Sequence, residues 1–157
     1  MSIESKNKVV TLEDAKQFST FVVDGQLYGI DVMKVQEVTK PLEMTVMKAA
    51  PAIVRGLINL RGQIATAIDL HELFQIHSEN SDEQMTIVCR ADDILISLLV
   101  DNIGDVIEVD ESKFEKVPIT IPSSISIFMK GVYKTENGIL SILCLETILA
   151  ELERKCA

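Results

Sequence analysis

From residue 18 onwards, short apolar runs alternate with polar turns along the chain. The runs at residues 18–24 and 27–32 are separated by Asp24-Gly25, a dipeptide that is typical of a two-residue β-hairpin turn. Val35 to Val38 begins a third run shortly afterwards. The pattern therefore predicts an antiparallel pair of short strands followed by a third strand.

A second hairpin is predicted at residues 55–60 and 63–68. Its polar turn contains Asn59, Arg61 and Gly62, and asparagine and glycine tolerate the backbone angles that a tight turn requires. The geometry of a hairpin tip needs no guanidinium group, so the charge of Arg61 is free to contact another molecule. This stretch is therefore both evidence for the fold and a candidate contact site.

The same pattern occurs twice along the chain. With an offset of 68 residues, Phe21 to Val38 aligns with Cys89 to Val106. With an offset of 75 residues, Arg55 to Phe74 aligns with Lys130 to Leu149. Both blocks follow the same order, and polar as well as apolar positions agree, which indicates a duplication. The second copy then predicts strands at 85–90, 94–100, 103–109, 128–134 and 139–144.

Two short helices complete the predicted elements. Asp69 can cap a short helix at Leu70 to Phe74, because its side chain can accept hydrogen bonds from the free N–H groups of the first turn. The segment Leu145 to Lys155 carries apolar residues at helical spacing. A polar, acidic linker at His77 to Gln84 separates the two copies, and the proline-containing loop at Val117 to Ser126 is expected to be extended.

These elements predict a mainly β fold. Five short strands in each copy are too few for a flat sheet with an adequate core, whereas a small closed barrel leaves no strand edge exposed. We expect two small five-stranded SH3-like β-barrels packed together, with short helices that include one at the C-terminus. Residues 1–157 are expected to form a single domain. Within it, subdomain 1 spans about 18–76, with the C-terminal helix packing nearby, and subdomain 2 spans about 85–145.

The composition narrows the classes of partner. Of the 157 residues, 47% are hydrophobic but only 4% are aromatic, so the core is expected to be aliphatic. The formal net charge is −9 and the lysines are scattered, which argues against nucleic acid and anionic membranes as partners. The N-terminus is charged and lacks the apolar core of a signal peptide, and no uncharged stretch reaches the ~20 residues that span a bilayer. A cytoplasmic location is expected.

No arrangement of residues in the sequence suggests catalysis or metal binding. His71 and His77 have no second histidine or cysteine at ligand spacing, and both are expected on the surface. Cys89 and Cys144 lie in apolar runs and are expected to be buried, whereas Cys156 is expected to be exposed. The sequence contains no nucleophile-elbow, phosphate-loop or dinucleotide-binding motif. It therefore predicts no enzyme, no metal site and no cofactor.

Two clusters that combine apolar and charged residues are better candidates for a function. Val35 and Glu37 belong to the first cluster, and the duplication places Ile103 and Val106 in the second. Glu37 and Arg61 could combine opposite charges with apolar surroundings. Because an exposed ion pair contributes only about 0–1 kcal/mol to stability, we expect this pair to orient a partner.

Four segments resemble the CheW family of bacterial chemotaxis coupling proteins, over roughly residues 17–150. They are YGIDVMKVQEV (28–38), PAIVRGLINLRGQIATAIDL (51–70), LLVDNIGDVIEV (98–109) and KGVYKTENGILSILCLETIL (130–149). The resemblance implies one CheW-like domain without enzymatic activity, acting as an adaptor. It would link the cytoplasmic tips of chemoreceptors to the regulatory domain of the histidine kinase CheA, in receptor arrays at the membrane.

The resemblance also implies two sets of contact residues. The receptor-binding residues are expected to be Val35, Glu37, Arg61 and Val106, with Ile30 and Ile103 as neighbours. The kinase-binding residues are expected to be Thr45, Met47 and Gly56, with Gly56 acting only through its backbone. Weak self-association in array rings, without membrane insertion, is a further expectation.

Two other functions remain open from the sequence. A CheW-like module of a CheV-type or other signalling complex would have a phosphorylatable receiver as its partner, but the chain ends at Ala157 without room for one. A small ligand-binding or enzymatic β-barrel would need a pocket with converging polar groups, and the sequence supplies none. A pull-down with the CheA regulatory domain and a receptor tip peptide separates these functions.

Overall fold

The computed structural model describes residues 2–5, 8–11, 15–77 and 84–156, and strands predominate in it. The strands are β1 (Ser2–Ser5), β2 (Lys8–Thr11), β3 (Ala15–Val23), β4 (Gln26–Asp31), β5 (Val35–Thr39), β6 (Val54–Leu60), β7 (Gln63–Asp69), β8 (Met85–Ala91), β9 (Ile94–Val100), β10 (Asn102–Asp110), β11 (Met129–Thr135) and β12 (Gly138–Leu143). The helices are α1 (Leu70–Leu73), α2 (Ser123–Ser126) and α3 (Leu145–Cys156), and single turns of 3-10 helix lie at Val32–Lys34 and Glu111–Lys113. The expected mainly β fold with short helices is confirmed.

Tight turns connect two of the hairpins where the sequence predicted them. Asp24 and Gly25 have φ angles of 50° and 75°, and Arg61 and Gly62 have φ angles of 50° and 87°. Two consecutive positive φ values are typical of the type I′ turn, whose twist matches that of the adjoining strands. Arg61 thus occupies the tip of the β6–β7 hairpin in a left-handed conformation.

The strands form two five-stranded sheets and a separate hairpin of β1 and β2. Sheet 1 has the order β10-β3-β4-β12-β11, and sheet 2 has the order β5-β8-β9-β7-β6. One pair in each sheet is parallel, β4 with β12 and β9 with β7, and the other pairs are antiparallel. Each sheet therefore joins a hairpin from one half of the chain to three strands from the other half.

This exchange of hairpins differs from the division that the sequence predicted. Contiguous subdomains at about 18–76 and 85–145 would keep all strands of one copy in one sheet, but β3 and β4 pair with strands of the second copy. The two five-stranded units are present, and the assignment of strands to them was wrong. Alternating burial indicates which face of a strand is buried, but it does not identify the neighbouring strand.

The two sheets are built in the same way at the level of single residues. Val35 lies opposite Cys89 in sheet 2, and Ile103 lies opposite Phe21 in sheet 1. The offset of 68 residues relates these pairs to each other. Register shifts in β6 and β11 also fall at related places. The duplication in the sequence is therefore a duplication of structure in which the hairpins have been exchanged.

One large hydrophobic core is shared by the two sheets and the helices α1 and α3. Its buried members include Phe21, Tyr28, Ile68, Phe74, Ile87, Ile96, Phe128, Leu143 and Ile148. Tyr28 of sheet 1 packs against Phe74, which follows α1, with a distance of 5.3 Å between ring centroids. The buried residues of α3 are Leu145, Ile148, Leu149 and Leu152, as the helical spacing predicted. The shared core fixes the two sheets against each other.

Each sheet also buries a smaller cluster of its own. The members occupy related positions: Ile58, Ala65 and Ala67 in sheet 2, and Tyr133, Leu140 and Ile142 in sheet 1. Because successive side chains of a strand point to opposite faces, neighbours such as Ala67 and Ile68 belong to different clusters. Every sheet is thus covered on one face by the shared core and on the other by its own residues.

The expected exposure of two residues needs correction. His71 is only 3% exposed, whereas the sequence placed it on the surface; an acidic partner distant in sequence accounts for its burial. Cys144 is half-buried rather than buried, because it immediately precedes α3, where its Sγ lies 3.4 Å from Glu146 Oε2. Cys89 is buried and Cys156 is exposed, as predicted.

The expected loops also differ in part. The segment 117–126 is not extended throughout, because Pro122 with its fixed backbone angle precedes the single turn of α2. Most of the linker predicted at 77–84 lies outside the described residues, since residues 78–83 are not among them.

Candidate interaction surface

Glu37 and Arg61 form an ion pair on the surface of sheet 2. Arg61 Nη2 donates to Glu37 Oε2 at 3.1 Å, and the two side chains are 83% exposed for Arg61 and 20% exposed for Glu37. Glu37 lies on β5 and Arg61 lies in the β6–β7 turn, and β5 and β6 are the two ends of the strand order. The contact therefore requires a strongly curved sheet. It also holds a largely exposed guanidinium group in one place.

A second arginine lies beside this pair and was missed by the sequence analysis. Arg90 Nη2 lies 3.0 Å from Gln36 Oε1 and 3.2 Å from Gln63 Oε1. Gln36 precedes Glu37, and Gln63 lies two residues after Arg61. We call these five residues the arginine patch. The available signal was a charged residue in an otherwise apolar strand, at a position where the related strand β3 has a valine.

The expected apolar contacts divide into three groups. Val35 and Ile103 occupy related positions on β5 and β10, are half-buried, and pack against the edge of the shared core. Val106 on β10 is 57% exposed and is available to a partner. Ile30 is only 1% exposed, so the structure places its side chain in the core and not on the surface. Ile30 can therefore support the surface but cannot contact a partner directly.

Thr45 and Gly56, two of the expected kinase-binding residues, lie against each other. Thr45 and Leu57 exchange two backbone hydrogen bonds of 2.9 Å, which attach the segment after β5 to the edge strand β6. A Cβ atom on Gly56 would lie 2.6 Å from the Thr45 carbonyl oxygen, which is closer than real Cβ atoms approach. Gly56 is therefore needed for this close approach of two backbones, and the segment it holds exposes Val46 and Met47, which are 74% and 50% exposed.

A partly buried polar network lies where the chain passes from β9 of sheet 2 to β10 of sheet 1. His71 Nε2 lies 2.9 Å from both carboxylate oxygens of Asp101, and the Asp24 N–H donates to Asp101 Oδ2 at 2.8 Å. The Asp69 carboxylate accepts from the His71 N–H and from Arg55 Nε, both at 2.9 Å. The network links α1, the crossing segment and the β3–β4 turn, which explains why His71 is buried.

The related crossing, from β4 to β5, has an ion pair close to the corresponding place, with Lys34 one residue after the position related to Asp101. Lys34 Nζ donates to Glu146 of α3. The hydrogen bond from Lys34 lowers the pKa of Glu146 from 4.5 to about 2, and the same bond raises the pKa of Lys34. Each crossing segment therefore makes a polar contact with a helix, Asp101 with His71 of α1 and Lys34 with Glu146 of α3.

The described residues do not meet the requirements of a metal site or of a membrane-spanning helix. Among the residues that the structure describes, no group of three or more His, Cys, Asp or Glu residues could hold a metal ion. None of the described helices has the length and apolar character needed to cross a membrane.

Comparisons with known proteins agree on one family. The family model described as a CheW-like domain matches residues 17–153. The chemotaxis protein CheW of Treponema pallidum (strain Nichols) is 29% identical over 142 residues, which cover 87% of this chain and 84% of that protein. The chemotaxis protein CheW of Bacillus subtilis (strain 168) is 29% identical over 139 residues, which cover 88% of this chain and 89% of that protein.

A solved structure shares both the fold and part of the sequence. The crystal structure of the scaffolding protein TtCheW from Thermoanaerobacter tengcongensis matches with a TM-score of 0.75 and 31% identity, over 82% of this chain and 88% of that one. Proteins of this family are scaffolding adaptors and not enzymes. The chain described here, with its two five-stranded sheets, therefore belongs to the CheW family of chemotaxis scaffolding proteins.

Proposed function

We propose that this protein couples chemoreceptors to the histidine kinase CheA, with separate surfaces for the two partners. The observation that carries the proposal is the Glu37–Arg61 pair, in which two residues far apart in the sequence meet on an exposed part of sheet 2. Such a pair contributes little to stability, about 0–1 kcal/mol, so its position is better explained by recognition.

The receptor surface combines this charge with apolar residues. Arg61 is not needed for the hairpin, because the related turn of sheet 1 has Glu136 at the corresponding position and its strands, β11 and β12, pair in the same way. Val35, Ile103 and Val106 lie on the related strands β5 and β10 and supply apolar contact area. A cytoplasmic receptor tip that buries these side chains would be oriented by the ion pair, since charged groups fix orientation more than affinity.

The kinase surface is the exposed segment that Gly56 and Thr45 hold against β6. Val46 and Met47 expose large apolar side chains there, next to the backbone hydrogen bonds of Thr45, and exposed apolar groups are suitable for a protein interface. We assign this segment to the regulatory domain of CheA, because it leaves the receptor surface free for simultaneous binding.

Titration calorimetry with two purified partners tests the proposal. The partners are a cytoplasmic chemoreceptor fragment and the CheA regulatory domain. We expect Arg61→Glu to weaken receptor binding about tenfold, because a charge-assisted contact becomes a repulsion, and to leave CheA binding unchanged. We expect Met47→Asp to weaken CheA binding about tenfold and to leave receptor binding unchanged.

Met33→Asp is the matched control for the second variant. Met33 is 87% exposed and lies outside the proposed kinase segment, so the same change of residue type is expected to affect neither affinity. If the folded wild-type protein binds neither partner, the proposed function is wrong. If Met33→Asp weakens CheA binding as much as Met47→Asp does, the kinase surface has been misassigned.

A further inference from the structure

Arg90 differs from Arg61 in how its charge is matched. Arg61 donates to a carboxylate, whereas the hydrogen bonds of Arg90 to described residues go to neutral oxygens. These are the side-chain amides of Gln36 and Gln63 and, at 3.4 Å, the carbonyl oxygen of Asp93. The arginine patch therefore contains two guanidinium groups and one carboxylate, on a chain whose net charge is −9.

An irregularity in β5 directs two consecutive residues of that strand towards the two arginines. Val35 lies opposite Cys89 and Glu37 lies opposite Val88, so Gln36 is an additional residue in the strand. A β-bulge of this kind redirects side chains relative to a regular strand. Gln36 and Glu37 can consequently each contact an arginine, Arg90 and Arg61 respectively, although they are consecutive residues.

Sheet 1 shows what the fold requires at the same positions. The related residues there are Val22, Gly104, Asp105, Glu136 and Gly138. They include two acidic residues and no basic one, yet the strands pair in the same order and with the same directions. The arginines are therefore not required to build a sheet of this kind. A patch that is basic in one sheet and acidic in its structural equivalent indicates a role in recognition.

We propose that Arg90 is a second cationic contact of the receptor surface, and that an acidic segment of the receptor tip docks on the arginine patch. This inference rests on the proposed function. A carboxylate can form a paired, charge-assisted contact with a guanidinium group and replace the neutral glutamine amides as its partner. The acidic segment is repelled by the related positions of sheet 1, so charge selects one of two structurally equivalent halves of the molecule.

The test uses two substitutions at one position, measured on the full chain. Arg90→Gln removes the charge and keeps a polar side chain, whereas Arg90→Lys keeps the charge but cannot form the planar fork. We expect Arg90→Gln to weaken binding of a cytoplasmic receptor fragment about fivefold to tenfold, and Arg90→Lys to weaken it about twofold. Affinity for the CheA regulatory domain is expected to be the same for both variants and the wild type.

Arg154→Gln is the matched control, since Arg154 is an exposed arginine of α3 that is paired with Glu151 outside the patch. It removes the same charge from the chain and is expected to leave receptor affinity unchanged. If Arg154→Gln and Arg90→Gln lose the same receptor affinity, the loss comes from the changed net charge of the protein, and the inference is wrong.

The remaining outcomes separate this inference from the proposed function. If the wild type binds the receptor fragment and folded Arg90→Gln binds equally well, the role of Arg90 is wrong and the proposed function stands. If Arg90→Gln and Arg90→Lys both unfold, or lose receptor and CheA binding together, Arg90 is structural and the inference is wrong. If the wild type does not bind the receptor fragment, both the inference and the receptor part of the proposed function are wrong.

Discussion

The Glu37 carboxylate and the Arg61 guanidinium group lie 3.1 Å apart, although Glu37 lies on one edge strand of sheet 2 and Arg61 lies in the turn that follows the other edge strand. The curvature of the sheet brings them together on the surface. The related position in sheet 1 has an acidic residue in place of Arg61, so this contact distinguishes two halves that otherwise share strand order and register.

Reversing both charges of this pair separates stability from recognition. Glu37→Arg with Arg61→Glu restores an ion pair of opposite polarity, so we expect the melting temperature to stay within about 2 °C of the wild type. Receptor binding is expected to remain at least about tenfold weaker, because the charge presented to the partner is inverted. Thermal unfolding measures the melting temperature, and titration calorimetry measures the receptor affinity. Wild-type receptor affinity in the double variant would contradict the orienting role of the pair.

Gly56→Ala is expected to destabilise the protein by about 1–3 kcal/mol. The added Cβ would lie 2.6 Å from the Thr45 carbonyl oxygen, which belongs to the backbone and cannot rotate away. Urea unfolding measures the change. Thr45→Ala is the control, because the contacts of Thr45 to β6 come from its backbone, and a change below about 0.5 kcal/mol is expected. If Gly56→Ala and the wild type have the same free energy of unfolding, the two backbones can move apart without cost and the expected steric conflict is absent.

Acid is expected to weaken the link between the β4–β5 crossing and α3. The folded pKa of Glu146 is about 2, below its ordinary value of 4.5, so its contribution to stability is present above pH 4.5 and is lost as the pH falls towards 2. Because the Glu146 side chain is 44% exposed, solvent screening limits this contribution to about 1 kcal/mol or less. Unfolding by urea between pH 6 and pH 3 should show wild type and Glu146→Gln converging at low pH. If the two proteins differ by the same free energy of unfolding at every pH, Glu146 is not the titrating group.

The exchanged hairpins predict that neither half of the chain folds alone. A fragment of residues 1–77 contains β3 and β4 without their partners β10 and β12, and a fragment of residues 84–157 contains β8 and β9 without β5 and β7. Each fragment leaves open strand edges and half of the shared core, so we expect little fixed tertiary structure in either. Mixing them should restore the near-ultraviolet circular dichroism of the intact chain. A cooperative thermal transition in one isolated fragment would contradict the exchange.

Local sequence patterns predicted the hairpins but not which hairpins share a sheet. Turn dipeptides such as Asp24-Gly25 and the apolar spacing of α3 depend on neighbouring residues, and the structure confirms both. The pairing of β4 with β12 depends on contacts across more than half of the chain, which no local pattern contains. His71 was misplaced for the same reason, because its partner Asp101 lies 30 residues away in the sequence.

The interaction surface, too, could be predicted from the sequence only in part. Opposite charge and apolar surroundings were sufficient to suggest the pairing of Glu37 with Arg61, which the structure brings together. Arg90 was missed because its glutamine partners carry no charge and lie on different strands. Ile30 was expected as a neighbour of the receptor-binding residues although its side chain is buried, since a resemblance in sequence transfers positions and not exposure.

Recovery of CheA with receptor-containing membranes tests the coupling of the two partners most directly. Membranes, CheA and this protein are mixed and sedimented, and the CheA in the pellet is measured with and without the protein. We expect wild-type protein to raise the recovery of CheA severalfold, and we expect Arg61→Glu and Met47→Asp each to abolish the increase while Met33→Asp does not. Equal recovery of CheA with and without the folded wild-type protein would show that the protein does not couple the two partners.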